Sequence, residues 1–180
     1  MGLFYTGKGD KGASKIGKIK MDKSCLEAEV LGTLDELNSL LGLIKSQDIP
    51  KDLKKHLENV QEKLFIIQAH IAALVFKGKQ TARITKNHVK ELEAIIEVLE
   101  KEIKPAKKFI LSGEHEIAAW LDYARAVARK VEREVVRFKK TKKVSLETVA
   151  FLNRLSSFLF ALARSEMKKS GKKEKHPSYK

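Results

Sequence analysis

The chain contains very little cysteine and proline, and both shortages narrow what it can be. Its 180 residues include one cysteine, Cys25, and three prolines. A single cysteine excludes an internal disulfide and a thiolate metal site within one chain, which is typical of a cytosolic protein. We see no signal peptide and no long apolar run, so we expect a cytoplasmic location and no membrane span.

Several enzyme classes are also excluded by what the sequence does not contain. The five histidines show neither Glu-x-x-His nor His-Glu-x-x-His spacing, so we expect no metal site built by protein ligands. We find no nucleophile elbow and no catalytic-cysteine pattern. The basic runs are not interleaved with aromatic residues, which disfavours base stacking on nucleic acid.

Positive charge, in contrast, is abundant. The net charge of +14 predicts an anionic partner, and a nucleotide, a nucleic acid or a membrane surface would all fit it. The most basic stretch is at residues 168–180, and we expect it to be a disordered, solvated tail.

Glycines are few, but Gly7, Gly9 and Gly12 lie close together among lysines near the N-terminus. Gly7, Gly9 and Gly12 allow successive backbone N–H groups to turn toward one anion, and the lysines add charge for phosphate oxygens. Residues 1–24 are therefore predicted to form a nucleotide-binding loop, although a flexible basic N-terminus explains the same residues equally well. A dinucleotide fold or a P-loop would require a preceding strand, which the sequence does not predict.

The rest of the chain shows helical periodicity. Apolar residues repeat every three or four positions in five segments, at about 24–47, 50–77, 85–104, 114–140 and 145–168. Ser24 with Glu27 forms a capping-box pattern, and Thr85 and Ser145 are predicted N-caps. Residues 25–167 are therefore predicted to form one all-α domain, an up-down five-helix bundle.

Polar residues beside the buried stripes of the last two helices are candidates for a site. Arg125, Arg129 and Arg133 share one face of the fourth helix with Glu132, and Asn153 lies on the fifth helix. Arginines bind phosphate in a fork, and an asparagine amide both donates and accepts. A solvated face with ion pairs at i,i+4 explains the same spacing.

Three separated segments together resemble one family, the ATP:cob(I)alamin adenosyltransferases of the propanediol-utilisation (PduO) type. The first joins Tyr5–Gly12 to Glu29–Asn38, the second joins Phe109–Gly113 to Ala124–Arg133, and the third runs from Phe151 to Arg164. The resemblance implies a five-helix homotrimer with active sites between subunits. It also implies transfer of the 5′-deoxyadenosyl group of ATP to cobalamin, with Mg²⁺ as cofactor and triphosphate as product.

The resemblance also assigns residues to roles. It implies a catalytic part for Phe109, which matches the aromatic residue that displaces the lower ligand of the corrin ring, and for Arg129. Asp35 and Arg125 match a salt bridge between subunits. The implied ATP-binding residues are Thr6, Gly7, Lys8, Gly9, Asp10, Lys11, Gly12, Ser14, Lys23, Arg129, Glu132, Arg133 and Asn153.

The chain departs from the family where Lys8, Ser112–His115 and Asp122 stand. The last two lie near the expected corrinoid side, so ATP binding is better supported than cobalamin binding. Two alternatives therefore stay open: a basic nucleic-acid-binding module that uses residues 139–143 and the tail, and a non-catalytic ATP-binding protein. The resemblance implies a corrinoid reductase and a cobalamin-dependent mutase as partners, with no nucleic acid and no membrane.

Overall fold

The chain folds as a bundle of five helices that follow a small N-terminal hairpin. The structure, a computed structural model, describes residues 5, 7, 9–16, 19–79, 82–104 and 108–179, without the side chains of residues 15, 16 and 19. The elements are β1 (Ala13–Ile16), β2 (Ile19–Asp22), α1 (Leu26–Lys45), α2 (Lys51–Phe76), α3 (Lys86–Ile103), α4 (Glu116–Lys139) and α5 (Leu146–Lys169). The predicted all-α, five-helix architecture is confirmed.

The centre of the bundle is the pair α4 and α5. Helix α1 packs on α4 and α2, and α3 packs on α5. The apolar stripes that the sequence predicts are the buried ones: Leu34 of α1, Leu121 of α4 and Leu155 of α5 are fully buried. Burying such side chains stabilises the fold by about 2 kcal/mol each, and it fixes the polar faces of α4 and α5 side by side.

The helix starts agree with the sequence in two cases and differ in one. The Ser145 hydroxyl accepts from the Thr148 N–H at 3.1 Å, and the Thr85 N–H donates to the His88 ring at 3.3 Å. Ser24 does not cap α1, because its N–H and hydroxyl both donate to Asp22. These two bonds lower the pKa of Asp22, and the helix begins at Leu26 with Cys25 as its N-cap.

The N-terminal segment contains a two-stranded hairpin that sequence periodicity did not predict. Strands β1 and β2 pair antiparallel, with Ala13 opposite Asp22 and Ile16 opposite Ile19. Each strand has four residues, which is too short for an alternating pattern to stand out against a lysine-rich background. In the part of residues 1–24 that the structure describes, a loop is therefore followed by a hairpin.

The C-terminal segment differs from the expected disordered tail. Helix α5 continues to Lys169, and the residues after it return to the segment before α4. The Leu111 N–H donates to the Lys175 carbonyl at 2.8 Å, and His176 Nδ1 lies 2.7 Å from the Phe109 carbonyl oxygen. Lysine content alone predicts solvation, but these backbone contacts and ion pairs order the segment.

Among the helices that the structure describes, α5 alone has the length and composition of a membrane span. Its best 18-residue window has a mean hydropathy of 1.3, and 56% of that window is buried inside the bundle. Because these apolar residues face the neighbouring helices, α5 is the core helix of the bundle.

Acidification is expected to weaken the fold through His56. Burial is the main cause that lowers the pKa of His56, with Lys169 and Lys55 adding to it and Asp52 opposing it. The folded state therefore favours the neutral ring, so this stability is present above the unfolded pKa of about 6.5 and is lost as the pH falls below it. We expect the free energy of unfolding of the wild type to fall as the pH drops below about 6.5, and that of His56→Gln to fall less. Equal slopes in urea unfolding series would rule His56 out as the cause.

Candidate active site

Two clefts adjoin on the surface of α4 and α5, and Arg129 lines both of them. We call the first the nucleotide-side cleft, after the predicted ATP-binding residues on it; its volume is about 420 Å³, and its lining residues are Arg129, Glu132, Arg133, Val136, Arg137 and Asn153. We call the second the Phe109 cleft, with a volume of about 500 Å³. The helical spacing of the polar residues produces this arrangement, because residues four apart on α4 lie on the same face.

The nucleotide-side cleft is strongly basic. Three arginines line it against one carboxylate, that of Glu132. The Asn153 amide donates to Glu132 at 2.8 Å, so α4 and α5 are joined across the cleft floor. Arg137 is partly neutralised by Glu29 of α1 at 3.6 Å, which leaves Arg129 and Arg133 as cations that suit phosphate oxygens. The predicted grouping of Arg129, Glu132, Arg133 and Asn153 is present in this cleft.

The Phe109 cleft combines apolar and charged walls. Phe109 stands at its rim with 78% of its surface exposed. The cleft residues are Glu100, Ile103, Lys108, Phe109, Ile110, Ser112, Asp122, Arg125, Arg129, Ser156, Ser157, Phe160, Ala161 and Arg164. Phe109 shares this cleft with Ile103, Ile110 and Phe160, so the apolar surface is grouped in one place, which suits a large, partly apolar ligand.

A buried ion cluster supports the wall of the Phe109 cleft. Arg164 pairs with Asp122 of α4 and, at 2.9 Å, with Glu174 of the C-terminal segment. The Ser112 hydroxyl donates to Asp122 at 3.0 Å. Asp122 and Arg164 are both buried, so the cluster joins α4, α5, the C-terminal segment and the segment before α4.

Breaking this cluster is expected to destabilise the protein. Arg164→Met removes the closer cation and leaves the buried Asp122 carboxylate with only the Ser112 hydroxyl and the more distant Arg125, and breaking a buried pair in this way costs about 3 kcal/mol. Urea unfolding would measure the loss. Lys130→Ala is the control, because Lys130 pairs with Glu36 with both side chains 46% exposed, and such pairs contribute about 0–1 kcal/mol. Similar losses of unfolding free energy in Arg164→Met and Lys130→Ala would contradict the expectation that the buried cluster contributes more than the exposed pair.

Arg125 belongs to the Phe109 cleft and lies 3.8 Å from Asp122. Its guanidinium, like that of Arg164, stands over the Phe160 ring, at 5.9 Å and 5.1 Å from the centroid. The Nε of Arg125 is buried and has no hydrogen-bond partner among the described residues. Asp35, predicted to pair with Arg125 across subunits, is exposed on α1, and that pairing stays a prediction.

None of the described residues of the N-terminal loop lines either cleft. The described lining residues of both come from positions 100–164. Gly7 and Gly12 have positive φ values of 65° and 75°, as a tight loop requires. The N–H groups of Asp10 and Gly12, however, donate to the carbonyls of Gly7 and Gly9.

Those internal bonds change how the loop would hold an anion. Lys23 Nζ donates to the Gly9 carbonyl at 3.2 Å and closes the loop. Because the N–H groups of Asp10 and Gly12 already donate to carbonyls within the loop, they are not available to an anion. An anion would therefore be held by the lysine charges more than by backbone N–H groups. Lys11 and Ser14 lie in or beside this loop, whereas Thr6 and Lys8 fall outside the described residues. The predicted role of the loop in binding ATP stays a prediction.

Sequence analysis assigned no role to three residues around the clefts: Glu93, Arg154 and Glu174. Helical spacing does place Phe160 beside the core stripe of α5, on the stripe that also carries Asn153. Glu93 and Glu174 meet their arginine partners only through the tertiary fold. Among the described residues, no group of three or more His, Cys, Asp or Glu side chains is placed to hold a metal ion.

The fold and the two clefts define a helical-bundle protein that presents a basic site beside an aromatic-rimmed site. Residues 4–166 match the family described as cobalamin adenosyltransferase. The chain belongs to that family.

Named relatives and solved structures agree with this assignment. The chain is 35% identical to a corrinoid adenosyltransferase of Bacillus subtilis over 93% of this chain and 88% of that protein. It is 32% identical to the human corrinoid adenosyltransferase MMAB over 96% of this chain and 72% of that one. A variant PduO-type ATP:corrinoid adenosyltransferase from Lactobacillus reuteri, solved with cobalamin and ATP, superposes with a TM-score of 0.86 at 30% identity, covering 97% and 98% of the two chains.

Proposed function

We propose that the two adjoining clefts are the ATP and corrinoid subsites of a corrinoid adenosyltransferase. The enzyme transfers the 5′-deoxyadenosyl group of ATP to the cobalt(I) of reduced cobalamin. The observation that carries this proposal is that Arg129 lines both clefts. A single cation between a basic cleft and an aromatic-rimmed cleft is where a group would pass from one substrate to the other.

The bond changes define what the protein must supply. The cobalt(I) electron pair forms a bond to C5′ of the ribose. The C5′–O bond breaks, and triphosphate leaves with the electron pair of that broken bond. Cobalt(I) is a strong nucleophile, so no protein base is needed. The protein contributes alignment of C5′ with cobalt and neutralisation of the leaving triphosphate.

We assign the triphosphate and nucleoside to Arg129, Glu132, Arg133 and Asn153. The arginines neutralise the charge that develops on the leaving group, and the Glu132–Asn153 pair offers both donors and acceptors to the nucleoside. Mg²⁺ would arrive bound to the triphosphate, since this ion is usually held by substrate phosphates and water with at most one or two carboxylates.

We assign the corrinoid to the Phe109 cleft. Phe109 at the rim displaces the lower axial ligand, and the apolar side chains of Ile103, Ile110 and Phe160 exclude water from the cobalt. A dry apolar wall favours four-coordinate cobalt, because water and the lower ligand are both kept away.

The N-terminal loop completes the ATP site from a neighbouring subunit of a homotrimer. Two observations support this: none of the described loop residues lines the clefts of its own chain, and 36% of the Arg125 side chain stays exposed beside the Phe109 cleft. Asp35 of a second subunit would pair with that exposed part of the guanidinium. A cytoplasmic corrinoid reductase would supply the substrate, and a cobalamin-dependent mutase would receive the product.

An optical assay tests the function. Purified protein is mixed with MgATP and chemically reduced cobalamin, and the spectrum of adenosylcobalamin is followed together with triphosphate release. We expect both products in equal amounts, and neither without ATP. ATP binding without formation of adenosylcobalamin would indicate a non-catalytic nucleotide-binding protein. Tight, salt-dependent binding of an oligonucleotide, with no binding of ATP, would indicate a nucleic-acid-binding module.

A further inference from the structure

A chain of hydrogen bonds runs from α3 through α5 to the nucleotide-side cleft. Glu93 of α3 accepts from the Nε of Arg154 at 2.8 Å. A terminal nitrogen of the same guanidinium donates to the Asn153 Oδ1 at 2.6 Å. The Asn153 Nδ2 then donates to Glu132 at 2.8 Å. We call these four residues the Glu93–Glu132 chain.

The polarity of this chain fixes the orientation of the Asn153 amide. A guanidinium only donates and an ionised carboxylate only accepts. The amide oxygen must therefore face Arg154, and the amide nitrogen must face Glu132. A flipped amide would place its oxygen against the Glu132 carboxylate and its nitrogen against the arginine, and both contacts would be repulsive.

The guanidinium is in turn held by Glu93. A free arginine side chain samples many rotamers, and ordering it costs conformational entropy. The Glu93 contact at the Nε edge leaves the terminal nitrogen directed at Asn153. Glu93 itself is remote, since the described lining residues of the nucleotide-side cleft come only from α4 and α5.

We propose that Arg154 and Glu93 are positioning residues that orient the Asn153 amide, and through it Glu132, for nucleotide binding. This inference rests on the proposed ATP site. One hydrogen of the Asn153 amide is committed to Glu132, so its second hydrogen and the other Glu132 oxygen remain for the ligand. The Glu93–Glu132 chain thus presents one donor, the Asn153 amide, and one acceptor, the Glu132 carboxylate, in a fixed arrangement. Such a pair suits a nucleoside better than a bare phosphate.

Stability alone does not explain the pair. The Arg154 and Glu93 side chains are 42% and 38% exposed, and exposed pairs of this kind contribute little to folding. A merely structural ion pair would therefore leave ATP affinity unchanged when it is removed.

The test compares ATP affinity, measured by calorimetry without corrinoid, with kcat in the adenosylation assay. We expect Arg154→Ala to raise the Kd and the KM for ATP about tenfold, because one charge-assisted hydrogen bond to Asn153 is lost. We expect kcat and the thermal midpoint to change little. Glu93→Gln should show a smaller rise in the same direction. Glu58→Gln is the matched control, because Glu58 pairs with Lys45 between α1 and α2, away from both clefts, and should not change ATP affinity.

A charge swap separates positioning from structure. Glu93→Arg with Arg154→Glu restores an ion pair between α3 and α5 but places an acceptor against the Asn153 Oδ1. We expect the swap to keep wild-type stability and still bind ATP about tenfold more weakly. Restored ATP affinity in the swap, or unchanged affinity in Arg154→Ala, would overturn the positioning role. If the wild type itself binds no ATP, the failure belongs to the proposed function.

Discussion

Arg129→Ala is expected to reduce kcat/KM for ATP about a thousandfold. Removing one preorganised donor to a developing anionic charge costs about 10²–10³ in rate, and Arg129 also lines the corrinoid side, so its loss opens the junction of the two clefts. Steady-state kinetics with saturating reduced cobalamin would measure the effect.

Lys130→Ala is the matched control for Arg129. Lys130 is the next residue on α4 and carries the same charge, but it points to Glu36 of α1 at 3.3 Å. We expect its kcat/KM to stay within about threefold of wild type, because an exposed pair away from the clefts contributes little. Equal losses of kcat/KM in Arg129→Ala and Lys130→Ala would mean that the net positive charge of the surface, and not the position of Arg129 in the clefts, determines the use of ATP.

Phe109→Ala is expected to slow transfer about a hundredfold while the Kd for ATP stays within twofold. The ring is 78% exposed and lies at the rim of the Phe109 cleft. If the corrinoid binds there as proposed, loss of the ring should admit water and the lower ligand to the cobalt without changing the nucleotide-side cleft. A small misplacement of a reacting centre is enough for a loss of about 10²-fold. Single-turnover kinetics and calorimetry with ATP would separate the two quantities.

Leu111→Ala provides the comparison for Phe109. Leu111 lies in the same segment and is 50% exposed, but it is absent from the cleft lining, and its bond to Lys175 uses the backbone. We expect near wild-type transfer in this variant. A Phe109→Ala enzyme as fast as Leu111→Ala would remove the ring from the mechanism. The spectrum of bound cobalt(II)alamin gives a second readout, because four-coordinate cobalt should form in Leu111→Ala and not in Phe109→Ala.

The local elements of the fold could be predicted from the sequence because their signals are local. Ser145 caps α5. Thr85 is the N-cap of α3, and its N–H donates to the His88 ring in the first turn of that helix. Arg129, Glu132 and Arg133 meet on one face because they are spaced by helical turns on a single element. Asn153 joins them only because α4 and α5 pack together, and the resemblance to a family had already indicated that pairing.

The features that the sequence did not reveal depend on contacts between distant positions. Glu93 is 61 residues from Arg154, and Glu174 reaches Arg164 only because the C-terminal segment turns back toward Phe109. The β1–β2 hairpin was missed because each strand has four residues. Composition predicted charge in the tail, but charge alone does not show which carboxylate or carbonyl a lysine or histidine will meet.

A structure of the enzyme with MgATP and cobalamin would test the central claim most directly. The account predicts triphosphate against Arg129 and Arg133, the corrin ring against Phe109, and the ribose C5′ directed at the cobalt across the junction that Arg129 forms. It also predicts that the nucleoside contacts the free edges of Asn153 and Glu132. ATP bound away from α4 and α5, or a corrin ring outside the Phe109 cleft, would contradict it.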